Sequence, residues 1–126
     1  MRRTVEGLRA PSHSLPSYPE GRLLAAVKRV VYIHSAKPYF AITFKVIQPV
    51  EYEGREVTSR LYCTNRAMWK LQWFLRDFNY DQELISAEQV DDKALIGLKG
   101  VIQIARESIA GRVFMNIKAF GPASSW

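Results

Sequence analysis

The sequence is poor in the residues from which most catalytic centres and disulfide-bonded domains are built. Among its 126 residues are one cysteine, Cys63, and two histidines, His13 and His34. A lone thiol forms no internal disulfide, and among β-forming neighbours it reads as a small buried apolar group rather than a nucleophile. No Cys/His pair, phosphate-cradling glycine loop or paired-metal carboxylate motif is visible, so no enzyme, metal site or cofactor is expected. The acidic cluster Glu88, Asp91 and Asp92 matches no compact ligand motif and reads as a solvated helix end. Long apolar runs are missing as well: Lys28, Arg29, Lys45 and Lys70 break the longest ones, well short of the ~18 residues that a membrane span needs. The start of the chain has no apolar leader, and a cytoplasmic protein with no membrane partner is expected.

What remains is a chain of one-domain length with 48% hydrophobic residues and a net charge of +6. An excess of positive charge attracts polyanions, nucleic acid foremost, and bears on partners rather than on fold. Residues 1–21 contain Pro11, Pro16, Pro19, serines and the basic residues Arg2, Arg3 and Arg9. No periodic pattern fits them, and they read as an extended arm, either solvated or laid along a phosphate backbone.

From Leu23 to His34 the chain is dense in Val, Ile and Tyr, as it is from Tyr39 to Val50 and from Arg55 to Cys63. Three strands joined by short connections are expected. In the second, Phe40, Ile42, Phe44 and Val46 alternate with Tyr39, Ala41, Thr43 and Lys45, which places the first set in a core and the second in water. In the third, Val57, Ser59, Leu61 and Cys63 face in, and Glu56, Thr58, Arg60 and Tyr62 face out. The first alternates poorly around Val30 and Val31, as a bulge would explain. After Thr64 or Asn65 as helix cap, Met68, Leu71, Leu75 and Phe78 recur at helical spacing up to about Asn79. Trp69 and Trp73 lie on a neighbouring helix face, where packing under a barrel is more usual than base stacking. A short helix is expected around Ser86 to Asp92, stopped by Gly97. Two final strands, Leu98 to Arg106 and Arg112 to Phe120, turn at Ala110-Gly111.

Three strands, a helix and two strands suggest a mainly β, five-stranded OB-type barrel over residues 22–122, with 123–126 as a short tail. Over Leu23 to Pro122 the chain resembles a family of small phage and phage-derived OB-fold proteins of single-stranded-DNA-binding type. The likeness rests on Val50-Glu51-Tyr52-Glu53-Gly54-Arg55-Glu56-Val57, Trp69-Lys70-Leu71-Gln72-Trp73-Phe74-Leu75, Leu95-Ile96-Gly97-Leu98-Lys99-Gly100-Val101 and Asn116-Ile117-Lys118-Ala119-Phe120. The resemblance implies an accessory of DNA replication or recombination, with proteins of those processes as further partners. Many single-stranded-DNA-binding proteins end in an acidic tail with a terminal aromatic; here Trp126 has no acids before it, and it either docks a partner or folds back.

Binding of single strands takes cations that follow the phosphates and flat rings on which bases stack. The outward set supplies both: Tyr39 and Tyr62 as rings, Lys45, Arg55 and Arg60 as charges, extended by Lys28, Arg29 and Tyr32 from the first strand and Lys118 from the last. RNA would fit the same chemistry, and a protein-docking or assembly module is the alternative class. An exposed strand such as the first is also open to homo-oligomeric pairing.

Overall fold

The computed structural model describes residues 21–126. The proline-containing arm, with Arg2, Arg3, Arg9 and His13, lies outside the described residues except for Gly21. The elements in chain order are β1 (Gly21–Ile33), β2 (Tyr39–Gln48), β3 (Glu56–Tyr62), α1 (Met68–Asp77), α2 (Gln82–Ser86), α3 (Asp92–Leu95), β4 (Lys99–Ile109) and β5 (Arg112–Pro122). All strand pairs are antiparallel, in the order β3-β2-β1-β4-β5.

Period-two alternation drives the β2–β3 pairing. Phe40, Ile42, Phe44 and Val46 are buried together with Val57, Ser59 and Leu61, and Phe44 is directly opposite Val57 in the ladder. The irregularity expected in the first strand is present: the β1–β2 register slips between Val27 and Arg29 and again between Leu24 and Ala25. The first slip leaves Lys28 as the extra residue, so that β1 presents Leu23, Ala25 and Val27 to the core and Arg29 to the outside. At the Ala110-Gly111 turn both residues have positive φ, 52° and 79°, the geometry that a two-residue hairpin requires.

The sheet does not close by a ladder between its edges β3 and β5; instead α1 packs against both. Leu71, Phe74, Leu75 and Phe78 of the helix region are buried. Phe44 meets Phe74 at 5.7 Å, Phe78 at 5.5 Å and Phe120 at 6.2 Å between ring centroids, so one aromatic cluster ties the middle of the sheet, the helix and the last strand together. Gly100 is part of this fit, because a Cβ there would lie 2.5 Å from the Phe78 ring.

Several local expectations are corrected. Thr64 and Asn65 do not cap α1: a turn closed by the Ala67 N–H on the Thr64 carbonyl delays the helix, which starts without a side-chain cap. Its far end is as expected, with Asn79 at φ 60° and the Tyr80 N–H returning to the Leu75 carbonyl. The segment from Ser86 to Asp92 is not one helix. Asp81 and Asp91 each accept backbone N–H groups and start two separate short helices, and Glu88 at φ 57° lies between them. Trp73 packs against Phe120 and donates to Asp77, but Trp69 is 57% exposed and is not tucked beneath the sheet. No described helix is long and apolar enough to cross a membrane.

Candidate functional site

Residues directly opposite in an antiparallel ladder share a face, so the outer surface of the sheet follows from the register. One row contains Glu56 of β3, Lys45 of β2, Ala26 of β1 and Lys99 of β4. The next contains Thr58, Thr43 and Arg29, the third Arg60, Ala41 and Val31, and the last Tyr62, Tyr39 and Ile33. The ten residues of β2, Tyr39 to Gln48, make this track about 30 Å long at ~3.4 Å per residue. At the Gln48 end the C-terminal turn folds back over the sheet: Arg22 donates to the Ser125 carbonyl at 2.7 Å, and the Trp126 indole N–H donates to Gln48. Trp126 is therefore tied to the sheet while 44% exposed.

Seven of the nine residues singled out in the sequence are brought together or near one another by β1, β2 and β3 in some form, but only six share the outer face: Lys28, Arg29, Tyr39, Lys45, Arg60 and Tyr62. Tyr39 and Tyr62 face each other at 5.0 Å between centroids, tilted by 49°. The Arg60 guanidinium is 5.2 Å from the Tyr39 ring centre, within the range of a cation–π contact. A hydrogen bond with Tyr62, reinforced by electrostatic interaction with Tyr39 and Tyr62, raises Arg60 above its ordinary pKa, and desolvation opposes the shift. Thr43, expected in water, is only 6% exposed, because its hydroxyl pairs with that of Thr58 at 3.0 Å and Arg29 flanks it in the ladder.

Glu56 is the one carboxylate in these rows. Lys28 and Arg29 both donate to it, and Lys45 is its ladder partner. The Lys28 hydrogen bond is the main cause that holds the Glu56 carboxyl below its ordinary value; desolvation opposes the shift, and Arg29 adds to it.

Three residues do not belong to this face. Tyr32 is opposite Phe40, on the core side of the register, and its ring contacts Phe40 at 5.0 Å and His34 at 4.8 Å. The bulge at Lys28 is the reason: it shifts the alternation that would have turned Tyr32 outward. Arg55 precedes β3 in the turn, and its guanidinium lies over the Tyr52 ring at 5.3 Å. Lys118 is on β5, separated from β2 by β1 and β4, where it pairs with Glu107 and lies near Lys70. Lys70, in turn, donates to the Ile117 carbonyl at 2.8 Å and is lowered in pKa by burial and by Lys118.

Sequence reasoning missed Lys99, which the β1–β4 ladder places in the Lys45 row; only the strand order could have revealed it. It also missed a cleft of about 520 Å³ beside Tyr62, lined by Lys37, Thr64, Asn65, Arg66 and Ala67. Cys63 is partly buried, and burial raises its thiol pKa, which suits an unreactive side chain. Among the described residues no group of three or more His, Cys, Asp or Glu side chains is placed to hold a metal ion. No protein-family model matches the chain, and no curated protein matches it.

Proposed function

We propose that the protein binds single-stranded DNA, with little sequence preference, along the outer face of β1, β2 and β3. The observation that carries this reading is the Tyr39–Arg60–Tyr62 cluster continuing into Lys28, Arg29, Lys45 and Lys99 on one surface. Two half-buried rings tilted against each other leave surface on which bases stack, and stacking contributes about 1–3 kcal/mol per base. The cations supply the electrostatic part, in which each phosphate neutralised on a single strand adds about −0.7 to the salt slope.

The strand order, with a helix between β3 and β4 that bridges the two sheet edges, supports an OB-type domain in which α1 takes the place of a β3–β5 ladder. A track of this length fits the lower part of the ~4–16 nucleotides that such domains occupy. An accessory role in replication or recombination accords with these properties and with the resemblance of the sequence to phage OB-fold proteins. The exposed Trp69 is the feature on which a protein-docking reading rests.

The test is fluorescence anisotropy of labelled oligo-dT, oligo-rU and duplex DNA at several salt concentrations. Preference for the single strand is expected, with Tyr39→Ala and Tyr62→Ala each weakening binding by about 5- to 150-fold, the equivalent of one stacked base. Equal, weak binding to duplex and single strand, or none, would favour the docking reading. Stronger binding of oligo-rU than of oligo-dT would assign the face to RNA.

A further inference from the structure

The cations of the outer face are not equivalent. At one end, Lys28 and Arg29 are held by Glu56. Beyond the other end, past Tyr62, lies the cleft lined by Lys37, Tyr62, Thr64, Asn65, Arg66 and Ala67, which contains two cations and no carboxylate. Among the described residues the Lys37 ammonium and the Arg66 guanidinium have neither a hydrogen bond nor an ion pair. Both are exposed.

The backbone that carries them is fixed on each side of the cleft. The Cys63 N–H donates to the Pro38 carbonyl at 2.9 Å, which joins the β1–β2 connection to the end of β3. The Ser35 hydroxyl donates to the Lys37 carbonyl at 2.8 Å, and the Ala67 N–H closes the turn on Thr64 at 3.0 Å. Two uncompensated cations on anchored loops, beside Tyr62 of the stacking pair, form a place for an anion that is continuous with the ring-bearing face. At the Glu56 end, by contrast, a phosphate must first displace a carboxylate from Lys28 and Arg29.

We infer that this cleft is the principal phosphate anchor of the bound strand. Resting on the single-strand reading above, the inference assigns Lys37 and Arg66 to backbone phosphates next to the base stacked on Tyr62. Thr64 and Asn65 supply hydroxyl and amide groups at the edge of that nucleotide. The strand then enters at Lys37 and Arg66, crosses Tyr62 and Tyr39, and reaches the Glu56 end last.

The experiment compares Lys37→Gln/Arg66→Gln with Lys28→Gln/Arg29→Gln and with a control, Arg76→Gln/Lys93→Gln, which removes two exposed charges elsewhere. All three proteins are checked for an unchanged thermal midpoint and titrated with oligo-dT over a salt series. Removal of the Lys37 and Arg66 charges should make the salt slope shallower by about 1.4, two phosphates at ~0.7 each. If the curves converge near 1 M salt, that corresponds to about 25-fold weaker binding at 0.1 M. The Lys28/Arg29 pair should lose less, and the control least. Inorganic phosphate at constant ionic strength should compete only weakly, since an anchor for a strand gains from its neighbours; full displacement by phosphate would reassign the cleft to free anions and overturn the inference. So would an unchanged slope in Lys37→Gln/Arg66→Gln while wild type still prefers single strands, an outcome that leaves the broader reading intact. A wild type without single-strand preference overturns both.

Discussion

The two faces of the sheet use aromatic rings in opposite ways. Inside, Phe44, Phe74, Phe78 and Phe120 all contact one another. Outside, Tyr39 and Tyr62 make one ring contact with each other and are attended by Arg60. A ring surrounded by rings is committed to packing, because each of its faces already has a partner. A tilted pair at a surface keeps area in reserve for a planar ligand. On the proposed single-strand reading, an aromatic residue's worth to the fold and its worth to binding are separable in this molecule.

The sharpest way to break that comparison is to remove one ring from each side. Phe44→Ala should lower stability by about 3–5 kcal/mol, since the aromatic cluster cannot collapse around the void. Tyr62→Ala should lower it by no more than about 1 kcal/mol, the scale of one cross-strand pair. Urea unfolding of the two variants beside wild type measures both; similar losses would mean that the outer rings are structural.

A smaller effect sharpens the contrast between the two ends of the outer face. Glu56 occupies the cations that a phosphate would use, so Glu56→Gln should tighten oligo-dT binding by about two- to fivefold, the scale of an exposed ion pair released. The sign with pH follows from its lowered pKa. Stability contributed by the Lys28–Glu56–Arg29 cluster is present above the ordinary carboxylate pKa and is lost as pH falls through the lowered folded value. Over the same fall in pH the carboxylate stops competing with phosphate, and wild-type binding should approach that of Glu56→Gln. Anisotropy titrations of both proteins from neutral to acid pH report it; a gap that persists at low pH would show that Glu56 acts by packing and not by charge.

The strands, their order of faces and the buried helix stripe were legible in the sequence because each rests on a local period. Phe40, Ile42, Phe44 and Val46 declare an inner face by alternation alone, and Leu71, Leu75 and Phe78 declare a helix stripe. The site was only partly legible, since it depends on where that period slips. One extra residue at Lys28 sends Tyr32 to the core side and keeps Arg29 outside; nothing local in Val-Lys-Arg-Val-Val-Tyr marks which residue is the extra one. Lys99 needs the β1–β4 pairing to reach the Lys45 row, and Lys37 and Arg66 line one cleft because the Cys63 N–H joins the end of β3 to the Pro38 carbonyl. Asn65 and Thr64 looked like helix caps because their chemistry suits that task, and a delayed helix start put them at a cleft wall instead.

The edge strands β3 and β5 are spanned by α1 and not by a ladder. The strands β2, β1 and β4 have a ladder on both sides, whereas the two outermost strands have one each, and α1 packs against both of them. The buried side chains Leu71, Phe74 and Leu75 of α1 cover the core side of the sheet where a ladder between its edges is missing. Amide hydrogens of β3 and β5 should therefore exchange before those in the middle of β1 and β2, which hydrogen exchange would measure. Tyr62 ends an edge strand while Tyr39 belongs to a strand laddered on both sides, so the pair of rings straddles the border between the singly and the doubly held part of the sheet.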